Sequence, residues 1–190
     1  MKAIDSVLSS LEIGDAQFEG SLGVFPLFRK ESAAKDYALL DEALERDLVD
    51  ITEVSDAGHV PELFFENKST ERVLLVDGDE LVGARQNRIV NISILVGAGK
   101  KLVIPVSCVE QGRWSYRSAK FASAHRGLFA SAKARKMADV SESMRASGGR
   151  RSNQGRIWND IGEMMAARSV ASDTGAMSDL YEAMEPDLDR

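Results

Sequence analysis

PELFFENKSTERVLLVDGDELVGARQNRIVNISILVGAGKKLVIPVSCVEQGRW, residues Pro61–Trp114, holds the strongest fold signal in the chain. It concentrates the apolar and β-branched runs, the single cysteine and most of the unusual polar groups. Within IVNISILV, Val90, Ile92, Ile94 and Val96 share one parity and form an uninterrupted apolar face, which predicts a strand with that face toward the core. Asp77-Gly78 and Gly97-Ala98-Gly99-Lys100 are turn signals. Leu63–Glu66, Arg72–Val76, Ile89–Val96 and Lys101–Val109 therefore read as strands. Pro105 has no backbone N–H, which predicts an edge or a bulge for the last of them. No connection between residues 61 and 109 is long enough for a crossover helix, so antiparallel pairing is expected rather than a parallel doubly wound sheet. The expected fold is α+β: an antiparallel β-sandwich or distorted barrel with short N-terminal helices and a C-terminal helical layer.

Upstream of this stretch the chain is acidic. Ile4, Val7, Leu8 and Leu11 lie on one face of a short amphipathic helix. Ala16–Glu19 and Ser21–Phe28 read as strands, with Pro26 at an edge or a strand end. Arg29–Asp36 is a charged connection. Leu40, Leu44 and Leu48 recur at four-residue spacing, predicting a short helix over Leu39–Val49 that leads into a strand at Asp50–Val54. Ser55, Asp56 and Gly58 close that unit, and His59 falls in a turn before Pro61. Downstream, the period changes. Phe121, Leu128, Ala132, Val140 and Met144 populate a helical stripe over residues 117–145, with Lys120, Arg126, Lys133, Arg135, Lys136 and Arg145 on its other faces. Gly148-Gly149 breaks it. A second helix starts near Ser152 or Asn153, and a third carries Met177, Leu180 and Tyr181. The terminal EPDLDR is expected to fray. The organisation expected is a mixed N-terminal segment and β-rich core over 1–116, with a dependent helical region over 117–190.

The 190 residues are 44% hydrophobic, enough for one substantial core. One cysteine excludes an internal disulfide and favours a cytoplasmic location. No run of apolar residues is long enough for a membrane helix, and the N-terminus lacks a secretory pattern. The net charge of -6 hides an asymmetry. Residues 1–66 carry five basic and fifteen acidic groups, whereas residues 117–157 carry ten basic and two acidic ones. Such a basic segment either docks on acidic parts of the same protein or a second copy, or meets an external anion.

Several residues have chemistry to offer. Asp79 and Glu80 follow a bend, and two crowded carboxylates can divide acid and base roles, although turn solvation explains the pair equally. Gln86-Asn87-Arg88 precedes the strongest apolar run. The Arg88 guanidinium can clamp an anion while the amides orient it, or can simply pair with an internal acid. Cys108 is a nucleophile only if Arg88 or Arg113 stabilises its thiolate, and otherwise a small core residue. Glu110 and Arg113 suit a cleft rim, and Trp114 either stacks on a ligand or covers the sheet-to-helix junction. Arg150, Arg151, Asn153 and Gln154, at a flexible basic connection before a helix, are candidates for an anion or nucleic acid. The two histidines, His59 and His125, stand far apart in sequence, and no metal or cofactor motif is present.

GDELVGARQNR, residues 78–88, followed by IPVSCVEQGRW at 104–114, resembles an uncharacterised family named for association with ARG and rhodanese-phosphatase-superfamily proteins. VFPLF at 24–28, ITEVS at 51–55 and SNQGRIW at 152–158 extend the resemblance over residues 20–182. It implies signature positions at Asp79, Glu80, Gln86, Asn87, Arg88, Cys108, Glu110, Arg113 and Trp114, but no reaction. It also implies further strand-like sequence beyond Tyr181-Glu182, whereas this chain stops soon after. The leading functional expectation is a small anionic-ligand-binding or protein-interaction module, with association between copies as a further candidate. The alternatives are a metal-independent hydrolase or isomerase using Glu80 or Glu110 as base with Arg88 stabilising charge, and a nucleic-acid adaptor through the basic helical region.

Overall fold

The computed structural model describes residues 2–29, 35–55 and 60–188. Asp56–His59, and with them the expected turn at His59, lie outside these residues. The chain divides into two units, Met1–Lys35 and Asp36–Arg190.

The first unit has a helix, α1 (Lys2–Leu8), and two antiparallel ribbons. Strand β1 (Leu11–Ile13) pairs with β4 (Leu27–Arg29), and β2 (Gln17–Glu19) pairs with β3 (Leu22–Val24). The expected strand Ser21–Phe28 is thus two strands, interrupted at Phe25-Pro26. The β2–β3 turn is two residues long, and Gly20 takes the positive φ of 56° that such a turn requires.

The second unit begins with β5 (Tyr37–Leu39), α2 (Leu40–Glu45), β6 (Val49–Glu53), β7 (Glu62–Asn67) and β8 (Arg72–Leu75). Strands β9 (Asp79–Gly83), β10 (Arg88–Val90), β11 (Ile94–Val96), β12 (Lys101–Cys108) and β13 (Phe121–Gly127) follow. Helices α3 (Ala130–Ser147), α4 (Gln154–Ala167) and α5 (Met177–Leu188) complete it. Six strands form an antiparallel sheet in the order β13-β9-β10-β12-β7-β6. The sheet curls until its two edge strands approach each other. Lys120, just before β13, donates to Asp50 of β6 at 2.6 Å across that closure. The result is a half-barrel. A smaller sheet, β11-β8-β5, includes one parallel pair, β5 with β8.

Two cores follow from the alternation of side chains along the strands. Val49, Ile51, Leu63, Phe65, Leu81, Val90, Ile104 and Val106 fill the inside of the curl. Ile89 and Val109 point the other way, against Leu128, Ala132, Ile157, Ile161, Met177 and Leu180 of the helical layer and its approach. Each such fully buried aliphatic side chain contributes about 1.5–3 kcal/mol. Because helices cover its outer face, β10 is buried on both sides, unlike a sheet with one face in water.

Four local expectations are corrected. Ile89–Val96 is not one strand: β10 and β11 belong to different sheets and are separated at Asn91–Ser93. The side chain of Asn91 explains the break, because it donates to the Arg150 carbonyl (3.0 Å) and accepts from Ser107 Oγ (2.6 Å). Pro105 lies on an interior strand rather than an edge. It faces Asn91, whose N–H donates to the Pro105 carbonyl at 2.9 Å. The N–H that proline lacks would have met the Asn91 carbonyl, and the Lys136 ammonium occupies that acceptor instead at 3.0 Å.

Phe121–Gly127 is a strand and not the start of a helix. Its alanines favour a helix locally, but β9 needs a partner, and pairing outweighs a propensity difference of a few tenths of a kcal/mol per residue. A bulge between Ser123 and Gly127 bends the strand, with His125 at φ 52°. Lastly, α5 continues to Leu188, so the segment expected to fray is helical that far. The break at Gly148 is as expected: it caps α3 at φ 71°.

Candidate functional site

The two signature segments meet at one end of the half-barrel. Strands β6, β9 and β12 end there, and β10 and β13 begin there. Gly83, at the end of β9, has φ 133°, and a Cβ on it would come within 2.6 Å of Ser118 Oγ. Glycine is needed for both reasons.

Arg113 organises this end. Its Nε donates to Glu110 Oε1 (2.8 Å), and its terminal nitrogens donate to the carbonyls of Gly83, Ala84 and Ser115, to Asn87 Oδ1 and to Glu110 Oε2. These bonds engage all five N–H groups of the guanidinium, leaving none for a ligand. Glu110 is as fully engaged. It also accepts from the Asn87 N–H (3.0 Å) and Thr174 Oγ1 (3.2 Å). Burial raises the Glu110 carboxyl, but the bonds from Arg113, Asn87 and Thr174 outweigh it and leave the group below its ordinary value. Gln86 links the pieces, donating to the Glu110 carbonyl (3.0 Å) and accepting from Arg88 (3.0 Å).

Arg88 contrasts with Arg113. It is 0% exposed, yet its Nε and one terminal nitrogen have no hydrogen-bond partner. It shares the parity of Val90 and faces the inside of the curl. Glu53 reaches the same region from β6, on the parity of Val49 and Ile51, and both of its carboxylate oxygens are likewise buried without a partner. Burial pulls the ionisation of Arg88 down, while the Cys108 and Glu53 side chains pull it back up. Beside Glu53 opens a cavity of about 540 Å³, also lined by Thr52, Arg85, Tyr116 and Ser118. The half-exposed ring of Trp114 has the guanidinium carbons of Arg85 and Arg88 each 5.8 Å from its centroid.

The remaining sequence candidates separate. Asp79 accepts from the Val76 N–H (2.8 Å) and closes the turn before β9. Glu80 points to the opposite face, into the second core, at 1% exposure. Neither of its oxygens is hydrogen-bonded, and burial pushes its carboxyl up to about 8. Cys108 is buried, its Sγ bonded to the Glu110 backbone, and burial raises its thiol; it is therefore protonated at neutral pH. Asn153 caps α4 by accepting from the Arg156 N–H. Gln154 extends the sheet with its side-chain amide: Oε1 accepts from the Cys108 N–H (2.8 Å), and Nε2 donates to the Cys108 carbonyl (2.7 Å). Arg150 and Arg151 stand apart from the half-barrel end, beside Pro61 and Pro105.

Much of the basic segment is ion-paired with the protein's own acids. Lys120, Arg135, Lys136 and Arg156 pair with Asp50, Asp160, Asp77 and Asp139. Lys136 is wholly buried, contrary to its expected place on an outer face. Sequence reasoning also missed Glu53, Lys136 and Thr174. Glu53 was legible in VDITE, where it shares the parity of two core residues. Lys136 was legible too, because it falls four residues from both Ala132 and Val140 on the buried stripe. Thr174 carried no local signal.

A half-barrel of this kind, with a helical layer and a polar network at one end, defines an α+β domain class. The chain belongs to the ARG and Rhodanese-Phosphatase-superfamily-associated Protein domain family, whose profile matches residues 10–190. No curated protein and no solved structure shows significant similarity to it. Among the described residues, no helix is long and apolar enough to cross a membrane.

Proposed function

We propose that the chain is a small-ligand-binding protein whose binding centre is the Arg88–Glu53 end of the half-barrel. One observation carries the reading: Arg88 and Glu53 both hold buried hydrogen-bonding atoms without partners, and Glu53 lines a sizeable cavity behind which Arg88 is buried. A buried polar group without a partner costs roughly 1–3 kcal/mol, so the arrangement favours a ligand that supplies the missing bonds. Arg88 suits a carboxylate or phosphate oxygen, and Glu53 suits a hydroxyl, amide or ammonium donor on the same ligand. Trp114 and Tyr116 offer apolar surface at the rim. Arg113 acts through the loop it holds rather than by touching the ligand.

The hydrolase or isomerase alternative has less support. Glu80 keeps its proton to about pH 8 and is closed to solvent, and Glu110 spends both oxygens on internal bonds. Neither is poised as a base at neutral pH.

The test is a thermal-shift screen of small carboxylates and phosphates, followed by calorimetry on wild type and Arg88→Met. Losing a charge-assisted bond of about 1.5–3 kcal/mol should weaken the best ligand at least tenfold, and Glu53→Gln should change which ligands rank first. Arg88→Met removes two unpaired donors but also the bond to Gln86, so its fold is checked by circular dichroism before calorimetry. A ligand bound equally well by wild type and Arg88→Met would move the binding centre elsewhere.

A further inference from the structure

The connection between α3 and α4 has an unusual division of labour. Its backbone is tied down at nearly every residue. Gly148 N–H donates to the Met144 carbonyl (3.0 Å), and Gly149 N–H donates to Ser147 Oγ (3.3 Å). The Arg150 carbonyl accepts from Asn91, Arg151 N–H donates to Ser143 Oγ (3.3 Å), and Ser152 Oγ lies 2.6 Å from Ser107 Oγ. Asn153 N–H donates to Asp139, and the Gln154 amide is spent on Cys108. The two side chains left over, Arg150 and Arg151, are exposed and have no acidic partner among the described residues. Their basic neighbours in sequence are ion-paired.

Both arginines line a groove. One cavity of about 260 Å³ is bounded by Pro61, Glu62, Val103, Pro105 and the two arginines. It adjoins a second, of about 270 Å³, which shares Pro61 and Arg151 with it and adds Val60, Val106 and Ser107. Pro61, Val103, Pro105 and Val106 put an apolar strip along it, on which Val103 is about half exposed. Acids bracket the positive spot. Glu62 stands on the groove wall, and Asp139 and Glu142 line a further cavity on the other side of Arg151.

We infer that this groove is a second binding site, distinct from the Arg88–Glu53 centre, and that it takes the phosphate group of a small phosphorylated molecule. Two adjacent guanidiniums supply two forks of donors, more than one carboxylate can use and well suited to a tetrahedral dianion. The pinned backbone holds the base of both arginines in place before binding, which lowers the ordering cost. Pro61, Val103 and Pro105 accept the apolar part of the ligand. Glu62 on the groove wall and Glu142 beyond Arg151 favour one compact anionic group, because a polyphosphate chain or a nucleic-acid backbone would run its next charges toward one or the other.

The experiment uses the full chain, titrated at low salt with phenyl phosphate and followed by amide chemical shifts in NMR spectra. Residues 148–154 and 103–106 should shift together, and Arg150→Gln/Arg151→Gln should weaken binding at least tenfold. Among the described residues neither side chain makes an internal bond, so melting temperature should not change in the double variant. Equal affinity in wild type and variant, or no shifts at these residues, overturns the assignment. A single-stranded oligonucleotide that binds the same residues more tightly than phenyl phosphate, with affinity falling steeply as salt rises, would overturn the small-ligand class in favour of a nucleic-acid surface.

Discussion

Replacing Lys136 by methionine is expected to remove about 3–5 kcal/mol of stability, the usual result of breaking a buried ion pair from one side. Lys136 is wholly buried on α3, and its ammonium meets the Asp77 carboxylate and the carbonyls of Val90 (3.1 Å) and Asn91 (3.0 Å). These are all three of its donors. They join the helix to the turn before β9 and to the point where β10 leaves its sheet. Methionine fills similar space but strands Asp77, one of whose oxygens already lacks a partner, and frees two buried carbonyls. Against a typical total of about 5–15 kcal/mol, such a loss is decisive. Urea unfolding followed by tryptophan fluorescence reports on the correct unit, since Trp114 and Trp158 both lie in it. The double variant Asp77→Asn/Lys136→Met should recover part of the loss, because no uncompensated charge remains. A loss below about 1 kcal/mol in the single variant would mean that the pair does not hold the helix to the sheet.

Glu80→Gln should change how stability depends on pH. In the folded protein burial holds the Glu80 carboxyl up at about 8, against 4.5 for the unconstrained group. The Arg126 guanidinium opposes that shift, while Glu110, Asp179 and Glu182 add to it; Tyr181, itself raised by burial, faces the same region. Below pH 4.5 both folded and unfolded chains carry the proton, and this group adds no pH dependence. Between 4.5 and 8 only the unfolded chain releases it, so unfolding is favoured as pH rises. Above about 8 the whole penalty is present. With about 1.36 kcal/mol per pH unit, the window is worth about 4–5 kcal/mol. Glutamine is neutral throughout and should remove this fall. Relative to wild type, the variant should therefore gain several kcal/mol between pH 5 and pH 9 in urea titrations. Asp79 is also raised by burial and contributes in the same direction, so some slope should persist. Parallel profiles for wild type and Glu80→Gln would show that Glu80 is not the titrating group.

Local patterns were informative wherever a side chain's neighbours came from its own element. The strands at Glu62–Asn67, Arg72–Leu75 and Lys101–Cys108, the helix break at Gly148 and the start of α4 all follow from alternation, helical spacing and turn residues. The same patterns also carried two facts that a coarser reading passes over. Parity places Glu53 with Val49 and Ile51, and four-residue spacing places Lys136 with Ala132 and Val140. A charged residue on an apolar face is the trace that a buried ion leaves in sequence.

Local periodicity and composition suffice for the α+β class, the apolar faces and the set of polar residues gathered near Arg88. The tertiary structure alone decided that Phe121–Gly127 is a strand, because an open edge on β9 offered it hydrogen bonds that no local preference could match. It alone decided which arginine keeps unused donors. Arg88 and Arg113 are the same residue type in adjoining signature segments, but Arg113 meets three carbonyls, an amide oxygen and a carboxylate, while Arg88 is left with unused donors facing Glu53. Those partners come from chain segments up to thirty residues away, and only folding brings them within hydrogen-bonding distance.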